Sequence, residues 1–167
     1  MWLFESSGKI PAKDLKLVVP NGNLKLTVSF RNGINADIEG NTFLSREQDI
    51  TLAGLINVPV ILDVEKDVKT ETIGVEFNPQ NAYRFFRINL HDIQNKIYSI
   101  KDILGVSGKY LIEQMNNTQT VEQKTELLQQ FLIKQLSTSN EDMIFEYCVN
   151  KIVVTKGLIT VKELESK

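Results

Sequence analysis

The chain has 167 residues, of which 42% are hydrophobic and 24% are charged, and its net charge is −2. This is enough for one ordinary globular domain with a sizeable core, and it excludes the basic composition of a self-sufficient nucleic-acid-binding protein. A single cysteine, Cys148, excludes an internal disulfide and suits a reducing compartment. No apolar run reaches membrane-spanning length, and the first residues lack the pattern of a signal peptide. We therefore expect a cytoplasmic protein that does not contact a membrane.

Residues 1–77 have the pattern of a β-rich segment. Residues 24–31 alternate without error, which predicts a strand with one buried face (Leu24, Leu26, Val28, Phe30) and one solvent-exposed face (Lys25, Thr27, Ser29, Arg31). The Asn32-Gly33 pair, followed by the alternating residues 34–38, predicts a β-hairpin. A further strand is predicted over 56–64, where Pro59 favours an edge strand or a bulge. Many short strands with turns between them are typical of a small barrel or sandwich.

The chain changes from strand to helix within residues 70–86. Ile73, Val75 and Phe77 alternate, after which Asn78 can cap a helix whose first residue is Pro79. From residue 78 to residue 136 the apolar period is helical. Short helices are predicted over 100–104, opened by a capping box at Ser99, and over 109–115. A longer helix runs from the capping box at Thr120 to about Leu136.

Residues 137–167 form the last predicted unit. Ser139 can cap a helix that ends near Lys156, because Gly157 follows as a C-cap. Thr160 can cap a short final segment that begins at Val161. We expect this unit to leave apolar surface exposed.

Catalytic and metal-binding patterns are scarce. The single histidine, His91, cannot supply the histidine-rich ligand set of a cupin metal site, and no nucleophile elbow or glycine-rich phosphate loop occurs. A pair of carboxylates is the one catalytic arrangement that the composition leaves open. The sequence therefore predicts no enzyme activity, no metal and no cofactor.

Four segments, taken in order, resemble the N-terminal sensor domain of AraC-type bacterial transcription regulators. They are Trp2-Leu-Phe-Glu-Ser, Val19-Pro-Asn-Gly-Asn-Leu-Lys-Leu, Leu52-Ala-Gly-Leu and Thr72-Ile-Gly-Val-Glu-Phe-Asn-Pro-Gln-Asn. The resemblance implies an α+β fold, with an antiparallel cupin-like β-barrel or sandwich over 1–77 followed by a helical half over 78–136 that includes a dimerisation surface. Residues 137–167 resemble the opening of the first helix-turn-helix unit, with Thr160, Val161 and Leu164 at its start.

The same resemblance implies a regulatory function. It predicts a domain that senses a small-molecule effector or supports a homodimer, within a regulator that binds promoter DNA through a C-terminal region missing from this chain. Since the recognition helix reads base edges, we expect no specific DNA binding by these 167 residues. The alternative is a small cupin-like barrel that acts as a carbohydrate-binding module or an enzyme. A third interpretation is a structural interaction domain without a ligand.

Two residue sets are candidates for binding. Five aromatic side chains either line a ligand cavity or fill the core: Trp2, Phe4, Phe30, Phe43 and Phe77. Three leucines spaced along the last long helix form either a dimer seam or a stripe that packs within the chain: Leu128, Leu132 and Leu136.

Overall fold

The computed structural model describes residues 1–6, 16–64, 68–136 and 140–165. Its strands are β1 (Trp2–Ser6), β2 (Lys16–Val18), β3 (Leu24–Arg31), β4 (Ile34–Ile38), β5 (Asn41–Ser45), β6 (Ile50–Ala53), β7 (Val60–Val64), β8 (Thr70–Phe77) and β9 (Ile97–Ser99). Its α-helices are α1 (Pro79–Phe86), α2 (Ile100–Leu104), α3 (Val106–Asn116), α4 (Val121–Gln135), α5 (Asn140–Val154) and α6 (Val161–Glu165). A 3-10 helix spans Leu90–Ile93. The predicted α+β class is confirmed.

The described strands form two antiparallel sheets rather than one closed barrel. The five-stranded sheet has the order β1-β8-β3-β6-β9, and the four-stranded sheet has the order β2-β7-β4-β5. Along the chain from β1 to β8, only β4 and β5 are consecutive strands that pair with each other; every other connection passes from one sheet to the other. The strands therefore build two layers that face each other.

The hairpin predicted at Asn32-Gly33 is wrong. β3 pairs with β6 and β8, whereas β4 pairs with β5 and β7, so this turn is a corner between the two sheets. Asn32 has a φ of 58°, and its Nδ2 donates to Thr70 Oγ1 at 3.0 Å. A Cβ atom on Gly33 would overlap the backbone carbonyl of Ser45. The pair is thus required by a tight corner, which uses the same residue types as a hairpin turn.

One face of the five-stranded sheet packs against the helices. Leu24, Leu26 and Val28 of β3 are buried there with residues from α1, α3 and α4. Phe77, at the end of β8, contacts Phe85 and Phe86 with ring centroids 5.0 and 5.1 Å apart. This face carries the main apolar core of the described chain.

The opposite face of β3 is not exposed to solvent, which corrects the sequence prediction. Ser29 is fully buried, and Lys25 and Thr27 are half-buried. The four-stranded sheet covers this face. Arg31, at the end of the strand, is exposed and pairs with Glu71 at 2.9 Å.

Of the four predicted helix caps that lie in described residues, Asn78, Thr120 and Thr160 make a capping bond and Ser99 does not. Asn78 Oδ1 accepts from the Gln80 backbone N–H at 3.2 Å, and Thr120 Oγ1 accepts from that of Gln123 at 3.2 Å. Ser99 makes no capping bond, and its Oγ is buried without a partner among the described residues. Ser99 instead ends β9, a strand that the sequence analysis missed and that pairs with β6.

Pro59 was expected to mark an edge strand or a bulge. In the structure β7 begins after it, at Val60, and lies between β2 and β4 inside the four-stranded sheet. The edge prediction is therefore wrong: the missing proline N–H is tolerated because Pro59 precedes the paired residues.

Helices α5 and α6 follow the described sheets and carry exposed apolar side chains. Contacts from α1 reach α5: Arg84 Nη1 lies 2.5 Å from Glu146 Oε1, and the rings of Tyr83 and Phe145 are 4.9 Å apart. The exposed apolar residues in this region are Met143, Ile144, Phe145, Ile152, Val153, Val154, Leu158 and Val161. The predicted capping site Ser139 lies outside the described residues.

Candidate functional site: a cavity between the two sheets

A cavity of about 320 Å³ lies between the two sheets. Side chains from β3, β6, β8 and β9 form one wall, and side chains from β2, β4, β5 and β7 form the other. Its volume is at the small end of the range of about 300–1,000 Å³ that is usual for ligand sites. The cavity therefore suits a small metabolite.

The wall from the five-stranded sheet carries four polar side chains beside the apolar Ala53 and Ile97. Lys25 and Thr27 of β3, Thr51 of β6 and Glu76 of β8 line the cavity. Thr27 and Thr51 are direct partners across the β3–β6 pair, so their side chains are neighbours on one face. Within the described structure neither threonine hydroxyl has a hydrogen-bond partner.

The wall from the four-stranded sheet is apolar. Ala36 and Ile38 of β4, Val60 and Leu62 of β7 and Phe43 of β5 line it, together with Ile34 and Val18. One polar side chain interrupts this wall, Ser45, whose Oγ lies 3.1 Å from Ser29 Oγ. The cavity is thus mainly apolar, and most of its polar side chains lie on the wall from the five-stranded sheet.

Lining residues that are exposed to solvent, Val19, Asn21 and Glu76, lie on or beside the connection from β2 to β3 (residues 19–23), so the mouth of the cavity is placed there. Asn21 and Asn23 both donate from Nδ2 to Glu76 Oε2, at 3.3 and 3.4 Å, and Lys25 Nζ lies 3.4 Å from Glu76 Oε1. The Asn23 backbone N–H donates to Asn21 Oδ1 at 3.1 Å, which closes a local Asx turn. Glu76 therefore holds this connection at the mouth of the cavity.

The charge of Glu76 is stabilised by these contacts. Burial raises the pKa of its carboxyl. The hydrogen bonds from Asn23 and Asn21 and the positive charge of Lys25 together lower the pKa by more than burial raises it, so that it lies below its ordinary value of 4.5. At neutral pH the described cavity lining carries one cation and one anion, Lys25 and Glu76, and these are paired with each other.

The structure separates the five aromatic candidates. Phe43 lines the cavity. Phe30 and Phe77 pack with the core between the five-stranded sheet and the helices, on the opposite face. The backbone of β1 places Trp2 and Phe4 opposite Gly74 and Thr72 of β8, but the side chains of these two residues are outside the described part of the chain.

The leucine stripe on α4 lies mostly inside the chain. Leu128 is fully buried and Leu132 is 8% exposed, both in the main core, whereas Leu136 is 40% exposed. Packing against this chain's own sheet and helices therefore accounts for the first two leucines. Only Leu136 offers surface to a second copy.

A buried lysine lies near the same core. Lys124 of α4 is 8% exposed, donates from Nζ to the Met115 backbone carbonyl, and lies 6.0 Å from the centroid of the Phe30 ring. Burial lowers the pKa of Lys124 below its ordinary 10.5. Since its donor is bonded to the last turn of α3, we assign Lys124 a structural role at that helix end.

The described residues contain no group of three or more histidine, cysteine, aspartate or glutamate side chains that could hold a metal ion. His91 lies in the 3-10 helix, where its backbone N–H donates to Asn89 Oδ1 at 3.1 Å. Cys148, on α5, is partly buried and free. A search of the described helices finds none that is both long enough and apolar enough to cross a membrane.

The start of the predicted helix-turn-helix segment is a short capped helix. Thr160 Oγ1 and its backbone N–H both donate to Glu163 Oε2, at 2.7 and 2.8 Å, and the Glu163 N–H donates back to Thr160 Oγ1 at 3.3 Å. The two Thr160 bonds lower the pKa of Glu163. Val161 is exposed and Leu164 is half-buried.

Sequence reasoning missed the polar residues of the cavity. Lys25, Thr27, Thr51 and Glu76 alternate with apolar neighbours, a pattern that normally marks a solvent-exposed face. The signal that could have found them is the predicted sandwich itself, because a second sheet over one face turns an outward polar row into an inner wall.

Comparison with curated proteins finds no match for this chain. A family model described as a domain of unknown function, DUF6597, matches residues 1–99. This segment contains all nine described strands and all the described residues that line the cavity. Because the match covers more than half of the 167 residues, the chain belongs to the DUF6597 family.

Proposed function

We propose that this chain is the effector-sensing domain of an AraC-type transcription regulator, located in the cytoplasm, and that the cavity between the sheets is its effector site. The observation that carries the proposal is the cavity, since one wall offers hydrogen-bonding groups and the other offers apolar surface. The four sequence segments that resemble AraC-type sensor domains support the family assignment.

The topology supports the finer fold assignment. Pairing of β1 with β8 and β3 with β6 in one sheet, and of β2 with β7 and β4 with β5 in the other, follows the strand order of a double-sheet jelly roll. Cupins are built in this way. We therefore propose a cupin-like sandwich whose interior holds the effector.

The helical layer provides a route from the cavity towards residues 137–167. β3 and β8 line the cavity with one face and pack against the helices with the other. Helix α1 in turn contacts α5 through the Arg84–Glu146 pair. A shift of these strands on effector binding would reach α5, which precedes the proposed helix-turn-helix segment.

A ligand screen of the wild type beside a variant whose cavity is filled tests the proposal that the cavity binds an effector. We would measure the thermal unfolding of the purified chain against a library of small metabolites, beside the variant Ala36→Phe, which fills the cavity from β4. Thr42→Phe, on an exposed position of β5, is the matched control. At about 100-fold excess over Kd a ligand stabilises the folded state by about 2.7 kcal/mol. Stabilisation of the wild type and the control, but not of Ala36→Phe, is expected.

The transcription part is tested separately. We expect the coding sequence to continue beyond Lys167 with the rest of the first helix-turn-helix unit and a second unit, and the 167-residue chain alone to show no sequence-specific shift of promoter DNA in a gel assay. A coding sequence that stops at Lys167 would overturn the AraC-type assignment and leave the cavity experiment unaffected.

A further inference from the structure

Most polar side chains of the cavity already have a partner within the protein. Asn21, Asn23 and Lys25 all bind Glu76, and Ser45 pairs with Ser29. Among the described lining residues this leaves the neighbouring hydroxyls of Thr27 and Thr51 without a protein partner. Asn21 and Glu76 are exposed, so this cluster lies towards solvent, and inside the cavity the two threonine hydroxyls form the edge that is open to a ligand.

The charges of the lining exclude ionic ligands. Lys25 is the only described cation that lines the cavity, and it is already neutralised by Glu76 at 3.4 Å. A carboxylate or phosphate placed between the sheets would lose its water shell without gaining an unpaired cation, and an ammonium group would lack an unpaired anion.

The apolar wall excludes ligands that are polar all round. Ile38, Val60 and Phe43 face the wall from the five-stranded sheet across the cavity and offer no hydrogen-bonding atom from their side chains. A polyhydroxylated sugar would leave hydroxyls unpaired against them, which is costly. A hydrocarbon would instead leave the two threonine hydroxyls without partners.

We infer that the effector is a small, uncharged and mainly apolar compound with oxygen on one edge, of the class of phenols, alcohols and ketones. Its oxygen bonds to Thr27 and Thr51, and its carbon atoms pack against the four-stranded sheet. This inference rests on the proposed effector site and names its ligand class.

The test is calorimetric titration of the purified chain with phenol and cyclohexanol, beside glucose, benzoate and toluene. We expect phenol and cyclohexanol to bind, and glucose and benzoate not to. The double variant Thr27→Val/Thr51→Val should weaken phenol binding by about twofold to twelvefold for each hydroxyl, since a net hydrogen bond is worth roughly 0.5–1.5 kcal/mol. Thr42→Val is the matched control.

A second measurement keeps the inference testable if the double variant binds all ligands poorly. Removing both hydroxyls should strengthen toluene binding relative to phenol binding. If the ratio of the two affinities were the same in the double variant as in the wild type, the inference would be overturned. Failure of both phenol and cyclohexanol to bind the wild type would overturn it too. Binding of glucose or benzoate that Ala36→Phe abolishes would also overturn it, but would leave the cavity as the effector site.

Discussion

The two faces of the five-stranded sheet are made by the same strands but have different surroundings. On the helix side, Leu24, Leu26 and Val28 are at most 1% exposed and contact other apolar side chains. On the cavity side, Lys25 and Thr27 alternate with them and border an open space. The comparison shows that one strand can contribute at once to the stability of the core and to the chemistry of a binding site.

The largest expected effect comes from the helix-side face. Leu26→Ala removes a fully buried side chain, so it should lower the free energy of unfolding by about 2–5 kcal/mol. Urea denaturation of the variant and the wild type measures the difference. The neighbouring Thr27→Val, which faces the cavity, should change it by less than about 1 kcal/mol. Equal losses at the two positions would contradict the division between the faces.

The alternation of residues 24–31 allowed the grouping of side chains into faces to be predicted, because side-chain direction in a strand is a local property. It did not show that the polar face would be covered, since the covering sheet comes from residues distant in sequence. Strand β9 was not predicted either, since its three residues join the sheet only by pairing with β6, which is distant in sequence.

The error at Asn32-Gly33 has the same origin. A corner between sheets and a tight hairpin both need a residue that tolerates positive φ followed by a small one, so the local sequence cannot distinguish them. The candidate site shows the same limit. Phe43 and Phe77 both occur in predicted strands, but the strand pairing alone places Phe43 at the cavity and Phe77 against α1.

The second prediction concerns a substitution that disturbs the corner between the two sheets. Gly33→Ala places a Cβ atom onto the Ser45 carbonyl, and the backbone shift that relieves this overlap should cost on the order of 1–3 kcal/mol. Gly22, in the 19–23 connection, has a φ of 74° and no atom near its Cβ position, so Gly22→Ala should cost only about 1 kcal/mol. Chemical denaturation of both variants measures the two costs, and a smaller loss for Gly33→Ala would contradict the close contact.

The third prediction concerns the buried lysine on the helix side. Because burial lowers the pKa of Lys124 in the folded state, the folded protein releases this proton at a lower pH than the unfolded chain does. The free energy of unfolding of the wild type should therefore rise relative to that of Lys124→Met as pH increases towards the ordinary value of 10.5.

Denaturation at a series of alkaline pH values measures this difference. Lys109→Met, at an exposed lysine of α3, is the matched control. A flat difference for Lys124→Met would show that the ammonium group is as well solvated in the folded protein as in the unfolded chain.

The smallest expected effect is at the mouth of the cavity. Because the pKa of Glu76 is lowered in the folded state, its contribution to stability is present above the ordinary value of 4.5 and is lost as pH falls through the folded pKa. Glu76→Gln should therefore be less stable than the wild type at neutral pH, by no more than about 1 kcal/mol because the pair is partly exposed. The difference should disappear in acid.

Urea denaturation at neutral and at acid pH measures the stability difference between the wild type and Glu76→Gln. Glu113→Gln, on the exposed side of α3, is the control. A loss that is the same at both pH values would mean that Glu76 acts through packing and not through its charge. A loss confined to neutral pH would show that the carboxylate, held by Asn21, Asn23 and Lys25, ties the 19–23 connection to the sheet. In that case the cavity face gains stability from its polar residues, as the helix face does from its apolar ones.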